Sequence, residues 1–187
     1  MLNRRKNPCV RTKQRGAAAV EFGIIAILFF TLFFGIIEFG RYFYLANTVQ
    51  EVTRCAAREA VVNYSGAKDS IQRKCIFQES STGIVELVAG WEIQNDYVQI
   101  RYLNSPNAST EATPNPDSPL GNLSECALNT TDCIKFVEAS VQQCSTTGRN
   151  RTCSNVVYQP VFGLFPLSVA IPNSTITMPV ESLGYAR

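Results

Sequence analysis

The sequence predicts an α+β protein: a long N-terminal helix that crosses a membrane in its first half, then a small, disulfide-stapled antiparallel-sheet domain. Three observations lead to this prediction. The stretch 16–37 is apolar apart from one acid, Glu21. A helical pattern without proline continues to about residue 62. Six cysteines and several alternating, β-rich stretches follow it.

The apolar stretch has the length of a membrane span. About 20 residues of helix cross the hydrocarbon core of a bilayer, and no charge occurs between Phe22 and Ile37. Glu21 interrupts the stretch, and an acid near a membrane end is costly enough to indicate a functional site. The alternative is a cleaved secretory signal. The run is longer than an ordinary signal core and no small-x-small cleavage site closes it, so we expect an anchor that stays attached.

Charge predicts the orientation of this span. Residues 1–16 contain six basic side chains and no acid, whereas the rest of the chain carries 11 basic and 15 acidic groups. By the positive-inside rule, the leader 1–16 faces the cytoplasm and residues from about 40 onward lie outside. The basic residues cluster before a span and do not line a folded face, which argues against nucleic-acid binding.

The cysteines agree with that orientation. Cys9 lies in the leader, and an even number lies beyond the span: Cys55, Cys75, Cys126, Cys133, Cys144 and Cys153. We expect three disulfides in an oxidising compartment. Six cysteines allow 15 connectivities, among which the sequence does not choose, and our hypothesis is local pairing: Cys55–Cys75, Cys126–Cys133 and Cys144–Cys153. The alternative is six buried thiols in a cytosolic domain. A zinc site is disfavoured because the chain has no histidine and no C-x-x-C motif.

The helix is expected to continue from the span to about residue 62, with one apolar face in its second half. That face recurs at helical spacing: Leu45, Val49, Val52, Ala56 and Ala60. It requires a cover, either the sheet of the same chain or a partner. We expect the helix to stop within 63–69, with Gly66 as a left-handed terminator.

The domain 63–187 follows. A second helix is predicted within 69–89 and strands within 97–103, 134–141, 156–159 and 175–180. Residues 104–124 are rich in Pro, Asn and Ser and are expected to form a surface loop. The apolar connector 160–173 contains Phe162, Leu164, Phe165 and Leu167. It is interpreted either as a cover of the core or as an exposed patch for a partner or the membrane surface.

Catalytic patterns are missing. Without histidine the chain has neither a Ser–His nor a Cys–His pair, and it contains no glycine-rich phosphate loop. The carboxylates between the long helix and the first predicted strand match no catalytic spacing and are interpreted as solvated: Asp69, Glu79, Glu86, Glu92 and Asp96. We therefore expect no enzyme, no catalytic or metal site and no cofactor.

The residues around the span resemble a known family. RGAAAVEF, an apolar run and GIIEFGRYFYLANTVQEVTRCAAREAVV are similar to the TadE-like family, the minor pseudopilins of the Flp/Tad pilus assembly system. The resemblance covers residues 15–62 and implies a pilin-like fold. It implies that a peptidase cuts between Gly16 and Ala17, and that Glu21 pairs with an N-terminal amine.

The resemblance also implies a function: a minor pilin-like structural subunit needed to assemble a Flp/Tad-type pilus, which serves adhesion and surface attachment. The implied location is the inner membrane, as a single-pass protein, or the pilus itself. The implied partners are a prepilin peptidase, other pilin or pseudopilin subunits bound through the N-terminal helix, and the inner-membrane assembly platform. The alternative is a membrane-tethered extracytoplasmic ligand-binding domain unrelated to pili.

Overall fold

The structure is a computed structural model that describes residues 15–80, 82–108, 111–112, 116, 118–147, 150–163, 168–180 and 183–184. It confirms the α+β class: one long N-terminal apolar helix is followed by small antiparallel sheets. The helices are α1 (Arg15–Val62), α2 (Lys68–Cys75) and α3 (Pro119–Ala127). The strands are β1 (Glu86–Leu87), β2 (Gly90–Gln94), β3 (Val98–Leu103), β4 (Phe136–Val141), β5 (Gln143–Thr147), β6 (Asn150–Ser154) and β7 (Thr175–Pro179).

Helix α1 has 48 residues and, at 1.5 Å per residue, is about 72 Å long. It begins at Arg15, inside the predicted leader, whose residues 1–14, with Cys9, lie outside the described part of the chain. The predicted glycine terminator is wrong. Gly66 lies in a 3₁₀ turn, Ser65–Ala67, and the chain leaves the helix through Tyr64 in an extended conformation, with φ −58° and ψ 139°.

The second half of α1 is the central element of the core. The predicted apolar face is buried, with exposures of 0–1% for Leu45, Val49, Val52, Ala56 and Ala60. Its cover is the chain's own sheet, in the order β3-β4-β7 and antiparallel throughout, with α2 beside it. We call the part of the chain that packs on this half of α1 the head.

The register of the sheet explains which strand residues face α1. Ile100 of β3 pairs with Ala139 of β4, and Ala139 pairs with Ile176 of β7. Alternate residues of a strand point to the same face, so these positions and their i±2 neighbours form one apolar layer. Val98, Ile100, Val137 and Ala139 are at most 4% exposed. The strands predicted within 97–103, 134–141 and 175–180 are therefore confirmed.

One other predicted strand is wrong, and the predicted second helix is shorter than expected. Residues 156–159 form no strand but a single bridge, Val157 to Ala170, because Pro160 has no N–H to extend the ladder. The second helix occupies only Lys68–Cys75, and strand β1 of the hairpin β1–β2 lies near the end of its predicted range. This hairpin packs near the middle of α1 and was not predicted.

The loop 104–124 is shorter than predicted. Helix α3 begins at Pro119, with the Ser118 Oγ accepting a hydrogen bond from the Gly121 N–H at 3.1 Å, a cap followed by proline at the first helical position. Within the described part of the loop, the Glu111 carboxylate lies 3.4 Å from both Lys68 Nζ and Arg151 Nη1. These ion pairs tie the loop to α2 and β6.

Six cysteines form the three pairs expected from their spacing. Cys55–Cys75 joins α1 to the end of α2, Cys126–Cys133 joins the end of α3 to the chain before β4, and Cys144–Cys153 links β5 to β6. The last pair is in register within its hairpin. Each pair spans 20 residues or fewer, so the disulfides hold local units together.

Candidate assembly and membrane interface

The first half of α1 contacts little of the rest of the chain. From Val20 to Ile37 the exposures of its Val, Ile, Leu and Phe side chains, Phe34 excepted, lie between 44% and 73%. The most apolar 18-residue window of this helix is not buried at all, and the helix is long and apolar enough to cross a membrane. An unbroken apolar surface of this extent requires lipid or other apolar helices around it.

The predicted processing and pairing residues lie at the start of this half. Gly16, Ala17 and Glu21 all belong to the first two turns of α1. Ala17 and Glu21 are four residues apart and thus share a helix face. The Glu21 carboxylate is exposed, and it forms no ion pair or hydrogen bond with the side chains that the structure describes. The pairing of Glu21 with an N-terminal amine and the cut after Gly16 stay predictions.

The two halves of α1 meet at a buried ion pair. Arg41 Nη2 donates to both carboxylate oxygens of Glu92 on β2, each at 2.7 Å, and the Glu92 side chain is fully buried. The same guanidinium donates to the carbonyl oxygens of Gln159 at 2.8 Å and Ala89 at 3.3 Å, and it lies 3.9 Å from the ring centre of Trp91. Arg41 therefore joins α1, the β1–β2 hairpin and the connector after β6.

A second acid completes this junction one turn earlier. Glu38 Oε1 accepts hydrogen bonds from the Tyr158 hydroxyl and, at 3.0 Å, from the Val161 N–H. The other carboxylate oxygen is buried with no hydrogen-bond partner in the described structure. We call Glu38, Arg41, Glu92 and Tyr158 the helix–head latch. Its members hold the head at one position on α1, directly after the apolar segment.

The pKa of the Tyr158 phenol is raised above its ordinary value. Its side chain is 4% exposed, and burial, reinforced by the hydrogen bond to Glu38, raises the pKa of the Tyr158 phenol to about 12. Both effects favour the neutral phenol, because ionisation would place a second negative charge beside a carboxylate. Tyr158 is therefore a hydrogen-bond donor over the whole physiological pH range.

Sequence reasoning missed the latch and was wrong about Glu92. Of the five carboxylates expected to be solvated, Asp69, Glu79, Glu86 and Asp96 are exposed, whereas Glu92 is buried against Arg41. A signal was available on α1, where Glu38 and Arg41 follow the apolar segment on one face. Their partners are 51 and 120 residues away in the chain, and no local pattern identifies them.

The structure describes only part of the apolar connector 160–173. Phe162 is 42% exposed and packs on Phe34 of α1, with ring centres 4.7 Å apart. Leu164, Phe165 and Leu167 lie outside the described residues.

In the part of the chain that is described, no group of three His, Cys, Asp or Glu side chains is arranged to hold a metal ion.

Comparison with known families supports the resemblance seen around the span. Residues 16–58 match the model of a family described as TadE-like protein. This range contains the apolar half of α1, Glu21, and the latch residues Glu38 and Arg41. Neither the curated proteins nor the solved structures contain a match. The family match, which suggests a Tad pilus-associated protein, thus concerns α1 and not the head.

Proposed function

We propose that this chain is a membrane-anchored structural subunit, similar to a minor pilin, that acts in the assembly of a Flp/Tad-type pilus and is not an enzyme. The observation that carries the proposal is the apolar half of α1, exposed along its length and bearing Glu21, within the range that matches the TadE-like family. A surface of this kind is suited to packing side by side with other helices in lipid.

The role proposed for Glu21 follows from the cost of an isolated charge. Hydrolysis of the Gly16–Ala17 peptide bond by a prepilin peptidase would leave an ammonium group on Ala17. In our proposal this ammonium pairs with the Glu21 carboxylate of a neighbouring subunit. Losing one partner of a buried pair costs roughly 3–5 kcal/mol, so helices in the wrong register would be strongly disfavoured. The pair would then set the axial position of one helix against the next.

The proposed orientation places residues 1–16 in the cytoplasm and the head outside. Six basic side chains before the span and three disulfides beyond it support this arrangement. The proposed partners are the prepilin peptidase, other pilin or pseudopilin subunits that contact α1, and the inner-membrane assembly platform. Through the pilus the protein would serve adhesion and surface attachment.

The test compares two isosteric changes on the same helix. Glu21→Gln retains the shape of the side chain and removes its charge, and Glu51→Gln does the same at an exposed position in the second half of α1. We expect Glu21→Gln to be inserted and cut but defective in pilus assembly, and Glu51→Gln to assemble normally. A Gly16 substitution that blocks cleavage should abolish assembly.

Two results would contradict the proposal. If Glu21→Gln supports pili at the native level, charge pairing is not the role of Glu21. If the leader 1–16 stays attached to the chain in the membrane, and if deletion of the whole protein leaves piliation unchanged, α1 is only an anchor. The membrane-tethered ligand-binding domain would then be the better account.

A further inference from the structure

We infer that the head does not stand clear of the membrane but rests in the lipid interface on an apolar collar around α1, formed by Phe39, Phe43, Trp91, Val161 and Phe162. The collar fits the interfacial layer of a bilayer, where lipid head groups meet acyl chains. The inference needs only the membrane span and is independent of any role in a pilus.

The depth of the collar follows from its register on α1. The apolar segment ends at Ile37. Phe34 precedes that end by three residues, or about 4.5 Å along the helix toward the membrane interior. The Phe162 ring packs on the Phe34 ring with centres 4.7 Å apart. If the apolar segment occupies the hydrocarbon core, Phe162 lies at the edge of that core.

Trp91 lies slightly farther out. It stacks on Arg41, which follows Ile37 by four residues, or about 6 Å along the helix. A bilayer is about 40–45 Å thick with its head groups and about 30 Å without them, so this height falls within the head-group layer. Tryptophan side chains concentrate at that level in membrane proteins, because the ring is apolar and its N–H is a donor.

All five collar residues are exposed. Phe39 and Phe43 are 63% and 49% exposed, Val161 is 49% exposed, and Trp91 and Phe162 are each 42% exposed. Two of them, Phe39 and Phe162, line with Phe34 and Val169 part of a half-open, almost wholly apolar groove of about 380 Å³. This surface is continuous with the apolar segment of α1, so the same lipid that surrounds the segment extends to cover the collar.

The helix–head latch prevents the collar from moving away from the membrane. The Val161 N–H donates to Glu38, and Arg41 donates to the carbonyl oxygen of Gln159, so the connector that carries Val161 and Phe162 is fixed to α1 at two points. The buried Glu92 neutralises the Arg41 charge at this height. The Arg41–Glu92 pair can therefore lie at the membrane surface as a neutral unit, while Glu38 accepts hydrogen bonds there from the Tyr158 hydroxyl and the Val161 N–H.

The test uses native fluorescence, since Trp91 is the only tryptophan of the chain. The full chain is reconstituted into phosphatidylcholine vesicles whose acyl chains carry bromine either near the glycerol end or near the terminal methyl. We expect Trp91 emission to be quenched by bromine near the glycerol end and much less by bromine near the terminal methyl. In the double variant Trp91→Phe/Phe162→Trp, the only tryptophan is at position 162. Bromine near the terminal methyl should quench its emission more than it quenches that of Trp91 in the native chain.

The matched control places tryptophan at the distal end of the head. Phe77 is 66% exposed and follows Cys75, whose disulfide partner Cys55 is 18 residues, or about 27 Å, beyond Ile37 on α1. In Trp91→Phe/Phe77→Trp, brominated lipid should leave the emission unchanged. If native Trp91 is quenched by lipid no more than tryptophan at position 77, the head stands clear of the bilayer and the inference is overturned.

Discussion

Replacing Arg41 with alanine removes the cationic half of the latch and leaves the Glu92 carboxylate in a fully buried site. Glu92 would retain one hydrogen bond of those described, from the Gln159 N–H at 3.1 Å, in place of two charge-assisted bonds at 2.7 Å from Arg41. Removing one member of a buried ion pair costs about 3–5 kcal/mol. For a protein of this size each kcal/mol lowers Tm by about 2–4 °C, so we expect a fall of about 6–20 °C.

The matched control for this change is Arg54→Ala. Arg54 also lies on α1 and forms an ion pair at 2.7 Å, but with Glu51, and the two side chains are 52% and 65% exposed. An exposed pair of this kind contributes about 0–1 kcal/mol, so the control should shift Tm by a few degrees at most. The two variants share the same substitution and the same helix, and they differ in the burial of the pair.

The assay is thermal unfolding of the full chain in detergent micelles, followed by near-ultraviolet circular dichroism of the tyrosines. A third variant, Arg41→Leu/Glu92→Leu, removes both charges and should regain part of the lost stability, because no unpaired ion is left buried. The reasoning is refuted if Arg41→Ala lowers Tm no more than Arg54→Ala does. Equal losses in the single and double variants would show that packing, and not the unpaired charge, sets the cost.

Two further predictions concern the head. The folded protein holds the Tyr158 proton to about pH 12 and the unfolded chain releases it near 10, so this contribution to stability is complete below pH 10 and is lost as pH rises toward 12. In urea unfolding, Tyr158→Phe should lose less stability over that range than the native chain, and equal losses would contradict the assignment. A Cβ at Gly184 would meet Val62 O at 2.8 Å and Tyr64 N at 2.9 Å, whereas one at Gly40 meets nothing within 4 Å. Gly184→Ala should therefore destabilise by about 1–3 kcal/mol and Gly40→Ala should stabilise by about 0.5–1 kcal/mol, and denaturant midpoints that move in the same direction for both would refute this.

Local pattern was sufficient for much of the head. The strands at 98–103, 136–141 and 175–179 follow from alternation of apolar and polar side chains. The hypothesis of local cysteine pairing is confirmed, although the sequence left 15 connectivities open. Helix α3 was missed although Ser118 and Pro119 form a recognisable start signal, because the surrounding Pro, Asn and Ser suggested a loop.

The sequence by itself determined α1. Its first half follows from an uncharged apolar run, interrupted at its start by Glu21, that is long enough to cross a bilayer. The buried stripe from Leu45 to Ala60 follows from a repeat of 3.6 residues, and both are local properties of the chain. Only the tertiary structure decided what covers the stripe and what Glu38 and Glu92 do. In the sequence, nothing distinguishes these two carboxylates from solvated ones. Glu92 is buried because Arg41, 51 residues earlier, reaches it at 2.7 Å, and Glu38 meets Tyr158 across 120 residues. These contacts depend on how the head packs on α1, between residues far apart in the chain. Packing of that kind produces no periodic pattern of residues in the sequence.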